Sequence, residues 1–197
     1  MTFAPRFSPD GKKIIMSFAE GGNSDIYTMN LDTRVVERIT NHSSIDTSPS
    51  FSPDGKTLYF SRESYFDKIF ERDSLSRNKY SVLSLYKATK ELGVWSEGEG
   101  LSLNSENYSV KNPAVSPDGK VLYFSSDMAG GLGKFDIYSA PINDDGTVGK
   151  PTNLGQKVNT EAQEMFPFIS SDNTLYFSSN GHLGVCLLYT SPSPRDY

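Results

Sequence analysis

Phe7-Ser8-Pro9-Asp10-Gly11-Lys12 returns as Phe51-Ser52-Pro53-Asp54-Gly55-Lys56 and again as Val115-Ser116-Pro117-Asp118-Gly119-Lys120. A weakened fourth copy reads Ile169-Ser170-Ser171-Asp172-Asn173. A proline stands two residues before the first apolar residue of each copy, at Pro5, Pro49, Pro113 and Pro167. A short β-rich run follows each: Ile14–Phe18, Leu58–Ser61, Leu122–Ser125 and Leu175–Ser178. Self-similarity at this period marks stacked structural units.

Pro presets φ for the first corner of a tight turn, and Gly supplies the corner that needs φ > 0. Asp can accept hydrogen bonds from the turn's own amides. Each copy therefore predicts a strand–turn–strand hairpin. The second strand, rich in Tyr, Phe, Ile and Leu, suits a strand covered on both faces. A third strand is expected after Gly21-Gly22-Asn23-Ser24 at Asp25–Leu31, after Gly130–Lys134 at Phe135–Ala140, and at Ser84–Thr89. Fourth strands are expected at Val35–Thr40, near Trp95–Leu103 and near Gly149–Leu154.

Four strands per unit, with no sustained helical period, indicate propeller blades. The fold class is all-β: a partial β-propeller of about three and a half four-stranded antiparallel blades, open rather than closed. Blades are expected at about 1–44, 45–108, 109–162 and, incomplete, 163–184. Asp10 and Asp54 lie 44 residues apart, a usual blade length, whereas Asp54 and Asp118 lie 64 apart. The excess fits a charged insertion at Glu63–Lys79, in which Tyr65, Phe66, Ile69 and Phe70 share helical spacing and suggest a short helix.

The 197 residues carry a formal charge of −5, which argues against a nucleic-acid partner. No stretch approaches the length of apolar sequence that spans a bilayer, so no direct membrane insertion is expected. No signal peptide is recognisable. Met1 lies so close to Pro5 of the first blade that a longer parent protein is expected. The single cysteine, Cys186, gives neither a disulfide framework nor a metal pair.

Residues 1–57 resemble the TolB propeller family, periplasmic components of the Tol–Pal system. The resemblance rests on Pro5–Ile14, Met16-Ser17-Phe18, Gly21–Tyr27 and, most specifically, the Ile45-Asp46-Thr47-Ser48-Pro49-Ser50 core of Thr40–Ser50. It implies a periplasmic or outer-membrane-associated protein that contacts a peptidoglycan-associated lipoprotein. Residues 58–184 are similar to the propeller region of OmpA-family outer-membrane lipoproteins of Bacteroidetes type. That series runs through Leu122–Gly131, Phe135–Tyr138, Asn153–Glu161, Glu164–Ile169 and Leu175–His182. Residues 185–197 resemble translated sequencing adapter. The expectation is therefore a chimeric reading frame with a non-native tail, of which at most Val185–Tyr189 adds as an apolar strand where a native blade strand belonged.

The candidate chemistry is sparse. Asp10, Asp54, Asp118 and Asp172 read as turn residues rather than as a ring of carboxylates. Asn143-Asp144-Asp145-Gly146-Thr147 lacks the distal ligands of a calcium loop and reads as a hairpin turn. Gly130-Gly131-Leu132-Gly133 opens no helix and so makes no phosphate cradle. His42 and His182 have no partner at metal-ligand spacing, and no Gly-x-Ser-x-Gly elbow is present. No catalytic residue, cofactor or metal is expected.

The recurring aromatics Tyr27, Tyr86, Tyr138 and Tyr59, Tyr123, Tyr176 suit packing between blades. The reading is a non-catalytic protein-interaction module of the cell envelope. The alternatives are an accessory propeller of a prolyl-oligopeptidase-like peptidase, or a sugar-binding or glycosidase propeller. The candidate partner-binding residues are His42, Asp46, Tyr65, Phe66 and Trp95, and the candidate loops are Asn41–Thr47, Glu63–Lys79 and Met128–Lys134. Self-association through open blade edges is expected as well.

Overall fold

The computed structural model describes residues 2–69, 77–182 and 187–191. Four antiparallel sheets follow one another along the chain, and none closes on itself. The first holds β1 (Thr2–Phe7), β2 (Lys13–Glu20), β3 (Asn23–Asn30) and β4 (Val36–Arg38) in that order. The second holds β5 (Asp46–Phe51), β6 (Thr57–Ile69) and β7 (Arg77–Glu91), and the outer edge of β7 pairs with both β8 (Val94–Trp95) and β9 (Glu99–Gly100). The third holds β10 (Val110–Val115), β11 (Val121–Ser126), β12 (Asp136–Pro141) and β13 (Thr152–Asn153). The fourth holds β14 (Glu164–Ile169), β15 (Leu175–Ser179) and β16 (Leu187–Ser191). The fold is an open, partial propeller.

The repeated turn explains why each unit begins alike. Ser8 Oγ donates to Asp10 Oδ1 at 2.6 Å, Lys12 N–H donates to the same oxygen at 3.0 Å, and Lys13 N–H donates to Ser8 Oγ at 2.9 Å. The same bonds recur at Ser52/Asp54/Lys56/Thr57 and at Ser116/Asp118/Lys120/Val121. Ser170 and Asp172 form the fourth pair. Gly11, Gly55 and Gly119 hold φ of +68°, +68° and +74°; in the weakened copy Asn173 does so at 64°. The Ser hydroxyl first, then the Lys amide, hold the Asp10 and Asp54 carboxyls below the ordinary range.

Each inner strand carries a bulge where its register slips by one residue, between Phe3 and Arg6, Thr47 and Ser50, Lys111 and Ala114, and Met165 and Phe168. Ser48, Asn112 and Phe166, each just before a proline, take φ of 52°, 54° and 56° there. The inner strands neighbour one another in sequence order around an axis.

Two faces per sheet build three cores. The face toward the following sheet carries Ile15 and Ile26, then Tyr59 and Leu85, then Tyr123 and Ile137. The face toward the preceding sheet carries Leu58 and Phe60, then Leu122 and Phe124, then Leu175 and Phe177, all buried. Phe60 stacks on Tyr86, and Phe124 on Tyr138, each at 6.0 Å. Tyr59, Tyr86, Tyr123 and Tyr138 thus lie at fixed positions of the inter-sheet packing, whereas Tyr27 and Tyr176 are half-buried on the outer faces of the first and fourth sheets.

One expectation needs correction. Glu63–Lys79 shows no helix among its described residues. β6 and β7 instead run on past the sheet as a paired ribbon from Glu63↔Leu83 to Ile69↔Arg77, while Phe70 lies outside the described residues. A pair of strands lets the insertion satisfy its backbone within itself. The apolar strand expected in the tail at Val185–Tyr189 is found at Leu187–Ser191, while Val185 and Cys186 lie outside the described residues. β16 pairs with β15 from Leu175↔Ser191 to Ser179↔Leu187 and takes the third-strand place of the fourth sheet. Its apolar, β-prone residues meet an open edge there.

Candidate functional site: the rim opposite the repeated turns

Strand direction sorts the loops onto two rims. β5 runs from Asp46, opposite Arg62, to Phe51, opposite Leu58 and next to the Ser-Pro-Asp-Gly turn. Its start therefore lies on the rim away from that turn. The loop 41–45, which leads into β5, lies there too. So does the ribbon, which begins where Glu63 N–H donates to Ile45 O at 2.9 Å. So does Met128–Lys134, which joins Ser126 of β11 to its partner Asp136 of β12. All three candidate loops share one rim.

Buried carboxylates fasten these loops. Asp46 is fully buried and holds Arg62 bidentately, Nε to Oδ1 at 2.7 Å and Nη2 to Oδ2 at 2.8 Å. The Arg62 guanidinium lies over the rings of Phe60 and Tyr86, at 5.2 and 4.7 Å. Desolvation works against its charge, but Asp46 outweighs it and raises the Arg62 pKa. Asp25 accepts from Arg38 Nη2 at 2.6 Å, Thr40 Oγ1 at 3.3 Å and His42 N–H at 3.2 Å. Asp136 accepts from Leu132 N–H at 2.6 Å, Gly133 N–H at 3.0 Å and Asn153 Nδ2 at 2.7 Å. Gly133 is held so close to the 160–162 segment that a Cβ would meet the Thr160 and Ala162 carbonyls at 2.5 Å.

His42 is exposed on this rim. Its Nδ1 accepts Ser44 N–H at 3.1 Å, and its carbonyl accepts Asn23 Nδ2 at 2.7 Å. Asp46 lies behind it and presents no surface; its carboxylate is taken up by Arg62. Trp95 lies elsewhere, on β8 toward the turn rim. It packs at 6.0 Å from Phe51, under Lys90 Nζ at 5.3 Å, and its indole N–H is buried with no hydrogen-bond partner among the described residues. A groove of about 250 Å³ along the outer side of sheets one and two joins His42, Arg62 and Trp95. Tyr65 and Phe66 sit in the ribbon, opposite Ser81 and Tyr80. A second cavity, of about 590 Å³, opens at the ribbon's base between Ala19, Gly22, Ile45, Thr47, Val82 and Ser109.

Asp25 and Asp136 were not singled out from the sequence, although Asp-Ile-Tyr recurs at Asp25–Tyr27 and Asp136–Tyr138. The same holds for Asn104 and Asn159. Asn104 accepts Leu85 N–H at 2.8 Å and donates to its carbonyl at 2.7 Å; Asn159 does the same for Ile137 at 2.8 and 2.9 Å. The recurrence of Leu103-Asn104-Ser105-Glu106 as Val158-Asn159-Thr160-Glu161 could have revealed them. His182 is packed edge-on against Phe177, with Nε2 2.9 Å from the Val158 carbonyl. No group of three or more His, Cys, Asp or Glu side chains placed to hold a metal ion occurs among the described residues.

Known proteins share this architecture. The chain is 48% identical over 54 residues to the Tol-Pal system protein TolB of Francisella tularensis subsp. mediasiatica, a match covering 27% of this chain and 12% of that protein. The crystal structure of TolB from Acinetobacter baumannii superposes with a TM-score of 0.68 at 22% identity, covering 98% of this chain and 41% of that one. A puromycin-hydrolyzing peptidase of Mycobacterium tuberculosis shares the fold alone, with a TM-score of 0.60 at 13% identity, covering 96% of this chain and 29% of that one. The chain thus spans less than half the length of each of these proteins. A family model described as the TolB beta propeller domain matches residues 1–103, more than half of the sequence, and the chain belongs to that family.

Proposed function

We propose that the chain is a non-catalytic protein-interaction module of the cell envelope, periplasmic or outer-membrane-associated, which binds its partner with the rim opposite the repeated turns. The observation that carries this reading is the gathering of loop 41–45, the ribbon and the Met128–Lys134 turn on one rim, each fastened to a rigid sheet. Exposed His42 and the apolar-lined cavity beside Ile45 offer polar and apolar contacts there. The matched relative's name places that protein in the Tol-Pal system. A peptidoglycan-associated lipoprotein is the partner this reading names. The similarity of residues 58–184 to OmpA-type propellers, and of residues 185–197 to adapter sequence, adds a composite origin. Genomic DNA read across Phe51–Leu58 and past Gly184 tests that part. Self-association through open blade faces belongs to the same reading.

The test of the rim is binding of the purified chain to an immobilised peptidoglycan-associated lipoprotein. His42→Ala, and replacement of Glu63–Lys79 by a tight turn, should each weaken capture several-fold while leaving the melting temperature unchanged. Full capture by both variants would overturn the proposal.

A further inference from the structure

On the turn rim the cleft between sheets one and two is open, whereas the next cleft is bridged. Between sheets two and three, Lys87 Nζ donates to the Gly146 carbonyl at 3.1 Å and Ser102 Oγ to the Val148 carbonyl at 3.2 Å. The turn of sheet three also touches that of sheet two: a Cβ at Gly119 would meet Pro53 at 3.5 Å. Between sheets one and two the position equivalent to Lys87 is the short, buried Thr28. There β7 returns to β8 through the tight Leu92-Gly93 turn, in place of the 143–147 hairpin that Lys87 holds. A Cβ at Gly55 would meet nothing within 4 Å. The result is a cavity of about 440 Å³, within the usual range for small-molecule sites. The two sheets that wall it pack on each other through Ile15, Ile26, Leu58 and Phe60, so it belongs to an internal interface and not to an end of the array.

The lining of this cavity mixes charges of both signs with aromatic surface. Asp10 and Asp54, from the two neighbouring turns, each use Oδ1 to accept from a Ser hydroxyl and a Lys amide, and their Oδ2 atoms have no partner among the described residues. Glu37 and Lys13 line it as a loose pair at 3.8 Å, and Lys90 lies over the ring of Trp95, which packs on Phe51. Carboxylates only accept hydrogen bonds and ammonium groups only donate them. A cationic ligand would meet the two lysines, an anionic one the three carboxylates, and an apolar one would strip water from all five without replacing its bonds. A neutral ring bearing several hydroxyls serves both kinds of group, because each hydroxyl donates and accepts. Its C–H face suits Trp95 and Phe51. A peptide strand, with single N–H groups spaced along its backbone, fits so close a mixture less well. We propose that the cavity is a binding site for a neutral sugar. The turn bonds that keep Asp10 and Asp54 ionised mean that neither can serve as the protonated acid that glycoside cleavage needs, so the role is binding. The site lies on the rim away from the partner-binding loops and does not depend on them.

Trp95 is the single tryptophan of the chain and reports on the cavity directly. Its fluorescence is followed in the full chain during titration with glucose, N-acetylglucosamine, maltose, lactose, cellobiose and chitobiose, and with an extended Ser/Thr-rich peptide for comparison. At least one of the sugars should give a saturable change in the millimolar range. Asp10→Asn and Asp54→Asn keep an Oδ1 acceptor for the turn but put a donor in place of the open oxygen. Each should weaken that sugar at least about tenfold. Asp118→Asn makes the same change in the turn of sheet three, outside the cavity, and should bind as the wild type does. Thermal melts check that each variant folds, and the two cavity positions serve as independent tests. No saturable response to any of the sugars overturns the site, as does a response that Asp118→Asn weakens as much as Asp54→Asn does. Saturation by the peptide alone overturns the assignment to a sugar.

Discussion

Arg6 and Pro167 join the first and last sheets across the axis. The Arg6 Nη2 donates to the Pro167 carbonyl at 3.0 Å, over 161 residues of sequence. Arg6 lines an axial cavity of about 760 Å³ with Phe7, Pro53, Val115, Pro117 and Phe168. Desolvation in that setting lowers its pKa to about 10, so it stays charged at neutral pH. One hydrogen bond gained and one charge desolvated nearly offset each other. Arg6→Met should therefore leave stability within about 1 kcal/mol of wild type. It should nevertheless broaden the distance distribution between spin labels at Asp32 and Asn173, measured in a Cys186→Ser background. An unchanged distribution would show that the bridge does not set the opening of the arc.

The turn at Ser52 links acid stability to one hydroxyl. Ser52→Ala removes the donor to Asp54 Oδ1 and the acceptor for Thr57 N–H, at a cost of about 1 kcal/mol. Asp54 has a folded pKa below its ordinary 3.8, so below that value the unfolded chain takes up the proton first. The stabilisation is fully present above pH 3.8 and is lost as pH falls through the lowered folded value. Thermal melts of wild type and Ser52→Ala should differ at neutral pH and converge toward strong acid.

Breaking the buried ion pair should be expensive. Asp46→Ala leaves the Arg62 guanidinium without its partner and should cost about 3–5 kcal/mol in chemical denaturation. The paired change Asp46→Leu/Arg62→Met should recover most of that loss. A partner-binding defect in Asp46→Ala would then report a collapsed loop, whereas one in His42→Ala at unchanged stability would report a contact.

Asp136 should govern the order of the Gly-rich turn. Asp136→Ala removes the acceptor for Leu132 N–H, Gly133 N–H and Asn153 Nδ2 and should cost about 1–3 kcal/mol. Hydrogen exchange across Met128–Lys134 should accelerate well beyond that at the Gly21–Gly22 turn, which joins the corresponding strands of the first sheet and is untouched by the substitution.

How much the sequence revealed depends on the range of each interaction. The Ser-Pro-Asp-Gly turns are closed by bonds two to five residues apart, so their residues announced them and, with their spacing, the open propeller. The ribbon stayed hidden because the spacing of Tyr65, Phe66 and Ile69 fits a helix as readily as part of a strand, and only pairing with Arg77–Ser81 decides between them. The apolar run Val185–Tyr189 announced a strand in the tail, but its bounds, Leu187–Ser191, are set by pairing with β15. Asp46 looked like a contact residue because its partner Arg62 stands 16 positions away. The gathering of three loops on one rim became visible only once strand directions were known.

The bulge before each inner proline has a consequence of parity. Asp46 and Phe51 are five residues apart, an odd number, and in an unbroken strand would point to opposite faces. The extra residue at Ser48 lets both face the first sheet, Asp46 beside Arg62 and Phe51 beside Leu58. Removing that one residue would invert half the strand: either the ion pair or the Phe51 contact would be turned to the wrong side. Proline suits the next position because it has no N–H for the interrupted ladder to strand. Substitutions along this strand are thus matters of degree, while a single deletion is a change of sign.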